Sequence, residues 1–326
     1  MGARTILFIR TDRLGETVLN LPAVAALDAA WPDATITLLV HPELGELVAR
    51  ARGVDRVLTY PAGPGPWWVQ ALRLRALLAP HRFDVAVVSN PTKALHVGVW
   101  LAGIPRRVGY ARKWGGRLLT DRLEDRKALG QRHEVEYNLE LIQALGVPPG
   151  MPAPVFPRFD REQEEVLRLL ERRGLRRDQP FLAVHPWTSN PAKQWPVDRF
   201  AALTEILDDR LGLQVAIIGG PEERAQASRL PQHAGAIADL VGELTLIQSA
   251  ALLQRARLLI SNDSGPVHLA AAVGTKTLVL FDTSHPGASA RRWRPWGEGH
   301  TVIEQPSLET IPVEQVVAAV ERCVHA

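Results

Sequence analysis

The sequence predicts an α/β protein with two doubly wound, Rossmann-like domains, and three observations support this fold class. Short apolar runs, typical of buried parallel strands, alternate with segments of helical spacing along all 326 residues. A proline-rich stretch at 147–157 interrupts this alternation once. The pattern then begins again and continues to the end of the chain. Because such folds bind ligands at the carboxyl ends of their strands, we expect the two domains to face a ligand-binding cleft.

The elements follow from the pattern in chain order. In the first half, strands are predicted at 5–9, 35–40 and 84–88, and helices near 17–30, 66–79 and 133–145. In the second half, strands are predicted at 181–184, 213–218, 257–260 and 277–281, and a last helix at 313–324. We therefore expect a first domain at 1–157, a second at 158–310 and a C-terminal helical segment at 311–326.

Composition narrows the class of protein. The hydrophobic content of 46% and charged content of 22% are typical of a soluble globular chain. No apolar run approaches the ~20 residues that span a bilayer, and residues 1–9 are typical of a first strand rather than a signal peptide. A single cysteine, Cys323, excludes an intrachain disulfide and fits a reducing compartment. We therefore expect a cytoplasmic location.

Several common functions lack their sequence motifs here. The turn after the first strand, 10–16, has no G-x-G-x-x-G fingerprint, and the chain has no P-loop. No Asp-X-Asp pair is present, which weakens the case for a metal-bridged diphosphate, and no nucleic-acid-binding motif accompanies the basic residues. Simple dehydrogenase, ATPase and nucleic-acid-binding functions are thus not favoured.

The segment 261–274 follows a predicted strand and begins a helix of small residues. Asp263 and Ser264 stand at the N-cap, and Gly265 allows a ligand to approach the backbone. His268 comes about one turn later, on the same side. Free N–H groups and the positive dipole end of a helix suit a diphosphate, which indicates a nucleotide-sugar pocket. The alternative is an ordinary capped helix.

Two further strand ends carry polar residues. After the strand at 181–184 come Thr188, Ser189 and Lys193, which supply hydroxyls and a point charge suited to phosphate oxygens. Lys193 is notable because only five of the 38 basic residues are lysines. After the strand at 213–218, Gly219 and Gly220 precede Glu222, whose carboxylate suits ribose hydroxyls. The alternatives are a solvated lysine and first-turn acids stabilised by the helix dipole.

The first strand leads into a turn with two carboxylates, Asp12 and Glu16. A carboxylate near a helix N-terminus is held ionised and can act as a general base. Glu16 is our candidate base, and Asp12 would orient Glu16 or Arg13. The alternative is that both acids only cap the helix.

Two surface features remain. A basic run lies between Pro105 and Arg132 and is interrupted by glycine and aromatic residues, which is typical of a loop that binds an anionic partner or of a solvated face. The segment Pro61–Trp68, rich in proline and tryptophan, suits either a membrane interface or buried packing.

These segments together resemble the heptosyltransferase family, glycosyltransferase family 9. The resemblance covers nearly the full chain, in order, and its motifs are Ile9-Arg-Thr-Asp-Arg-Leu-Gly-Glu16 with Leu21-Pro22, Arg107-Val-Gly-Tyr110 with Leu118-Leu-Thr-Asp-Arg122, His185-Pro-Trp-Thr-Ser189 with Ala192-Lys-Gln-Trp-Pro196, Gly219-Gly-Pro221, and Asn262-Asp-Ser-Gly-Pro-Val-His-Leu-Ala-Ala271.

The resemblance implies the two-domain GT-B fold, with the C-terminal helix packed back on the first domain. It implies inverting, metal-independent transfer of heptose from an ADP-heptose donor to a lipopolysaccharide core or similar anionic glycolipid, with peripheral contact at the inner membrane and no cofactor.

Residue by residue, the motif match implies that Glu16 is the base and that Lys193 stabilises the departing diphosphate. The donor-binding residues would be Thr188, Ser189, Lys193, Glu222, Asp263, Ser264, Gly265 and His268. The acceptor-binding residues would be Asp12, Arg13, Arg107, Arg112 and Lys113. One departure stands out, because the family usually has aspartate where this chain has Glu16. A nucleotide-sugar 2-epimerase and a catalytically silent sugar-binding paralogue are the alternatives.

Overall fold

The chain forms two compact units, Met1–Pro157 and Arg158–Ala326. The computed structural model describes residues 4–61, 63–112, 114–148, 150, 155–231, 236–284 and 289–325. Each unit contains one six-stranded sheet in which every pair of neighbouring strands is parallel.

The sheet of the first unit has the order β3-β2-β1-β4-β5-β6, which is the Rossmann order. Its strands are β1 Thr5–Ile9, β2 Thr35–Val40, β3 Arg56–Thr59, β4 Val85–Val88, β5 Arg106–Ala111 and β6 Asp121–Glu124. Its helices are α1 Leu14–Val18, α2 Leu21–Ala30, α3 Gly45–Val48, α4 Trp67–Leu78, α5 Lys93–Leu101 and α6 Glu134–Gln143. The strand order reverses between β1 and β4, so ligands are expected there.

The second unit repeats this arrangement, with the order β12-β11-β10-β7-β8-β9. Its strands are β7 Phe181–His185, β8 Gln214–Ile217, β9 Ile237–Asp239, β10 Leu258–Asn262, β11 Thr277–Asp282 and β12 Thr301–Gln305. Its helices are α7 Asp160–Arg172, α8 Val197–Asp209, α9 Arg224–Ala227, α10 Leu246–Arg255, α11 Gly265–Ala272, α12 Ala290–Trp293 and α13 Val313–His325. Strands β7 and β10 flank the reversal point of this sheet.

The central strands of both sheets are almost fully buried, as β-branched and leucine-rich runs covered by helices on both faces should be. The predicted α/β fold class, with two doubly wound, Rossmann-like domains, is confirmed. The predicted helix at 17–30 is in fact two helices, α1 and α2, which are separated at Leu19–Asn20.

Part of the basic run between Pro105 and Arg132, which the sequence indicated as a loop or a solvated face, is a strand. Strand β5 occupies Arg106–Ala111, and its Val108 and Tyr110 are fully buried. The arginines at its start obscured the pattern, and Arg106 is instead accommodated by hydrogen bonds to the Asp121 carboxylate on β6.

The C-terminal helix differs from the expectation that 311–326 packs back on the first domain. Helix α13 packs on α8 and β11, within the second unit. Its apolar stripe, which includes Val316, Val317 and Val320, is buried in the core of that unit. The backbone carbonyl of Ile311, two residues before the helix, accepts a hydrogen bond from the Trp195 indole at 3.0 Å. The helix is therefore part of the second hydrophobic core.

Within the described parts of the chain, we find no helix whose length and apolar character would let it cross a bilayer.

Helices α4 and α5 approach each other closely because Gly98 has no side chain. A Cβ at this position would lie 2.7 Å from Leu74 Cβ and 3.2 Å from the Ala71 carbonyl oxygen. We predict that Gly98→Ala lowers the thermal unfolding midpoint by about 2–4 °C, although alanine ordinarily favours a helix over glycine. The ordinary helix-propensity effect is measured separately with Ala76→Gly on the exposed side of α4. A higher midpoint for Gly98→Ala would contradict this account of the helix contact.

Candidate functional site

The reversal point of the second sheet brings two polar loops together. Strand β10 pairs with β7 in a register that places Ser261 opposite His185. The residues that follow each strand therefore leave the sheet side by side at its carboxyl edge, where α/β folds bind ligands. Thr188 and Lys193 come from the first loop, and Asp263 comes from the second.

Lys193 and Asp263 form a half-buried ion pair, with Nζ and Oδ2 3.2 Å apart. The Thr188 hydroxyl donates a hydrogen bond to the Asp263 carbonyl oxygen at 3.2 Å. The structure thus joins three of the predicted donor-binding residues, although Asp263 is 75 residues from Thr188 and 70 from Lys193 in sequence. Ser189, on the same loop, is exposed. A cation held in this way is already positioned for an anionic ligand.

Helix α11 begins at this edge, with Ser264 at its N-cap and Gly265 as its first residue. The Ser264 hydroxyl does not cap the helix and instead lies 3.0 Å from Ser261 Oγ and 3.3 Å from His185 Nδ1. The first-turn N–H groups therefore do not depend on that side chain. His268 is buried in α11, with its ring 6.4 Å from the Trp293 ring.

Sequence reasoning assigned no role to His185 or Glu223, and the structure places both in this site. His185 is buried, and its Nε2 lies 3.7 Å from Glu223 Oε2. The same carboxylate oxygen accepts a hydrogen bond from the Gly220 N–H at 2.6 Å. His185 thus links the loops after β7, β8 and β10. The sequence signal was only that His185 directly follows a predicted strand and that Glu223 comes soon after another.

The electrostatics of Glu223 reflect these contacts. Burial raises the pKa of its carboxyl group, but the hydrogen bond and charge of His185, together with the Gly220 N–H, outweigh burial and hold the pKa below its usual range. The neighbouring Glu222, which the sequence favoured as the ribose contact, is exposed and lies against Gly220. Of the two acids, only Glu223 connects to the buried residues of the site.

The position of Gly219 leaves no room for a side chain. A Cβ at this position would lie 2.7 Å from the Trp187 ring and 2.8 Å from Glu223 Oε2. The Trp187 ring is buried and stands edge-on to the His185 ring, with centroids 5.9 Å apart. The glycine therefore lets the loop after β8 rest directly on the indole.

The reversal point of the first sheet contains a buried charge network that the sequence did not indicate. Arg10 follows β1 and donates to Asp12 at 2.7 Å and to Ser89, which follows β4, at 3.1 Å. Its guanidinium also lies 3.4 Å from Glu134, a carboxylate with no solvent exposure. Lys127 contacts the same Glu134 oxygen at 2.7 Å. Two cations therefore surround one buried anion, as a buried charge requires.

The candidate base Glu16 lies in the first turn of α1 and is half-buried. Asn20 donates to its backbone carbonyl at 2.6 Å. Burial lowers the pKa of Arg10, but the charges of Asp12, Glu134 and Glu16 outweigh burial and raise it. Asp12 is thus paired with Arg10, and the charge of Glu16 also acts on Arg10, whereas Arg13 is exposed at the N-cap of α1.

The predicted acceptor-binding arginines differ in their surroundings. Arg107 donates to the backbone carbonyls of Ile104, Pro105 and Leu118, and its guanidinium therefore fixes the loop beside β5. Arg112 is exposed, with its Nε 3.8 Å from Asp125. Lys113 lies outside the described residues.

Comparisons with known proteins agree on one family. The family model described as glycosyltransferase family 9 (heptosyltransferase) matches residues 71–318. Lipopolysaccharide heptosyltransferase 2 of Escherichia coli is 26% identical, with 86% of this chain and 83% of that protein covered.

Two solved structures share the fold. A glycosyl transferase family 9 protein of Veillonella parvula gives a TM-score of 0.87 at 20% identity, covering 99% of this chain and 98% of its own. The E. coli ADP-heptose LPS heptosyltransferase II gives a TM-score of 0.83 at 22% identity, covering 98% of both chains.

The contacts of Glu223 predict that its contribution to the stability of the fold depends on pH. Because the folded pKa of Glu223 is depressed, its stabilising contribution is present above the unfolded value of about 4.3 and is lost as the pH falls through the folded pKa. Glu223→Gln should lower the thermal midpoint by about 3 °C at pH 7 and by less near pH 3.

The matched control is Glu222→Gln, which removes the adjacent, exposed carboxylate and should change the midpoint by about 1 °C or less at both pH values. The proposed contacts would be contradicted if both variants lowered the thermal midpoint equally. They would also be contradicted if the decrease caused by Glu223→Gln were larger at low pH than at pH 7.

Proposed function

Since this chain belongs to glycosyltransferase family 9, we propose that it is an inverting, metal-independent transferase that moves a heptose, or a related sugar, from an ADP-sugar to a lipopolysaccharide core or similar anionic glycolipid. The observation that carries this proposal is the cluster of Lys193, Asp263 and Ser264 where helix α11 begins. The acceptor would be reached at the cytoplasmic face of the inner membrane.

The donor side of the proposal rests on charge and backbone donors. The Lys193 ammonium and the first-turn N–H groups of α11 offer positive charge and hydrogen bonds to a diphosphate. Thr188 and Ser264 add hydroxyl groups at the same sheet edge. Asp263 would accept hydrogen bonds from hydroxyl groups of the donor while it holds Lys193. Glu222, after β8, would accept hydrogen bonds from the ribose hydroxyls. Ser189, Gly265 and His268 complete the proposed donor set.

The acceptor side of the proposal rests on the first unit. Glu16 lies in the first turn of α1, and its charge contributes to the raised pKa of Arg10. Asp12 and Arg13 flank it, and exposed Arg112, with Lys113, would contact the anionic groups of the acceptor. Arg107 contributes by fixing the adjacent loop.

The reaction follows from these roles. Glu16 removes the proton from an acceptor hydroxyl, whose oxygen attacks the anomeric carbon of the donor sugar as the bond to the diphosphate breaks. The configuration inverts because attack and departure occur on opposite faces. ADP leaves with the bonding electrons, and Lys193 and the α11 N–H groups stabilise its developing charge.

A nucleotide-sugar 2-epimerase and a catalytically silent paralogue are the two alternative functions. A nucleotide-sugar 2-epimerase is not favoured, because the matching family model is that of a transferase. A silent paralogue had only the glutamate at position 16 in its favour, and the Glu16 variant described below tests it.

Calorimetric titration with ADP, UDP, GDP and their sugars tests the proposal as a whole. We expect ADP compounds to bind most tightly. A clear preference for UDP compounds would overturn the assignment of the donor.

We predict that Glu16→Gln abolishes sugar transfer and leaves ADP-sugar affinity within about twofold, because the amide keeps the shape but not the basicity. Transfer is followed by product formation and affinity by calorimetry. Glu43→Gln, at a carboxylate whose side chain is 85% exposed, is the control and should retain activity. Weakened donor binding with transfer retained would remove Glu16 from the proposed mechanism.

We predict that Lys193→Ala weakens ADP-sugar binding at least tenfold, or ~1.4 kcal/mol, because the variant loses a phosphate partner and the cation that offsets the Asp263 carboxylate. Lys276→Ala, at an exposed lysine immediately before β11, is the matched control, with unchanged binding expected. Unchanged donor affinity in Lys193→Ala would place the diphosphate elsewhere.

A further inference from the structure

A group of large apolar side chains lies exposed on the first unit. They are Trp67, Trp68, Leu72, Trp100 and Trp114, with exposed fractions of 37%, 53%, 50%, 49% and 47%. We refer to Trp67, Trp68, Leu72 and Trp114 as the aromatic face. The sequence left either a membrane interface or buried packing open for Trp67 and Trp68, and the structure exposes both rings. Exposed tryptophans in this number indicate a binding surface rather than chance.

Trp67, Trp68, Leu72 and Trp114 lie near one another around the first turns of α4, and α4 is in close contact with α5. Gly98 allows this approach, with the position of its absent Cβ 2.7 Å from Leu74 Cβ. Trp68 and Leu72 are one turn apart on the exposed side of α4. The rings of Trp67 and Trp114 meet edge to face, with centroids 6.0 Å apart. Trp100 is exposed near the end of α5.

Cations accompany the aromatic face. Lys93 Nζ lies 3.7 Å from the Trp67 ring centroid and 4.9 Å from that of Trp114. Arg73 and Arg75 are exposed on α4. These aromatic rings lie beside positively charged side chains. Protein surfaces that bind the membrane interface have this combination of apolar and cationic groups.

The sequence around the aromatic face is strongly positive. Residues 56–120 contain ten Lys and Arg residues and a single acid, Asp84, and two of these arginines, Arg106 and Arg112, are paired with Asp121 and Asp125, which follow the segment. Asp84 is engaged with the backbone N–H and the hydroxyl of Thr5, at the start of β1. By contrast, residues 158–326 contain 19 basic and 21 acidic residues. The excess positive charge is thus concentrated in the segment that carries all five exposed side chains.

We propose that the aromatic face binds the surface of a bilayer that contains anionic phospholipid. The apolar rings enter the interface, and Lys93, Arg73 and Arg75 meet the headgroup phosphates. A second copy of the chain fits less well, because two such faces would bring like charges together. The inference extends the proposed function, since it names the surface by which the first unit reaches a lipid-linked acceptor.

The test is co-sedimentation with vesicles that contain no glycolipid, either pure phosphatidylcholine or phosphatidylcholine with 30 mol% phosphatidylglycerol as a chosen composition. We expect binding to the anionic vesicles that weakens as salt is added and is much lower on neutral vesicles. The double variant Trp68→Ser with Leu72→Ser should bind at least tenfold more weakly. Arg73→Gln with Arg75→Gln should reduce both binding and its salt dependence.

The matched control is Leu129→Ser, which removes an equally exposed leucine outside the aromatic face and should leave vesicle binding unchanged. Circular dichroism and the thermal midpoint establish that each variant is folded. The double tryptophan–leucine variant should keep wild-type ADP-sugar affinity and wild-type transfer to a detergent-solubilised acceptor. These readouts separate a failure of the surface assignment from a failure of the proposed function.

Three results would overturn the proposal. They are absence of wild-type binding to anionic vesicles, equal binding by the double variant, and concentration-dependent self-association that the double variant abolishes. The last would assign the aromatic face to a second copy of the chain.

Discussion

The candidate donor site depends on the pairing of strands β7 and β10. Their register sets His185 opposite Ser261, and every later contact between the two loops follows from it. Lys193 reaches Asp263, and the Ser264 hydroxyl reaches the His185 imidazole, because both loops leave the sheet at the same edge. A slip in this register would separate the cation from its carboxylate. The buried apolar side chains of both strands, which fill the core beneath the site, hold the register in place.

The fold was predictable where burial makes a strand uniformly apolar. Strands β1, β2 and β7 are such runs, and the sequence indicated each of them. Strand β5 was missed because arginines occupy its first two positions, and the hydrogen bonds that satisfy them come from β6 and from backbone carbonyls. Those partners exist only after the sheet has formed. The same reasoning applies to α13, because helical spacing predicts an apolar stripe and does not specify which core will bury it.

Residues of the candidate site were predictable where the residue type and its position in the sequence indicate a chemical role. A lysine among arginines and an acid at a helix start are visible in the chain, so Lys193, Asp263 and Glu16 were accessible to sequence reasoning. Glu134 was not, because in sequence it is one of several acids in the first turn of a helix. Its burial becomes possible only when Arg10, 124 residues earlier, and Lys127 supply compensating charge. Likewise, His185 and Glu223 gain their roles only when three loops meet.

Charge is used in two different ways in this protein. At the reversal point of each sheet, cations are paired in advance: Arg10 with Glu134, and Lys193 with Asp263. Paired groups lose little side-chain freedom when a ligand arrives, which favours orientation over long-range attraction. Arg73 and Arg75 are exposed on a helix that contains no acidic residue, so their field extends into solvent until salt screens it. The first arrangement suits the reacting groups of small ligands, and the second suits capture of a large anionic surface.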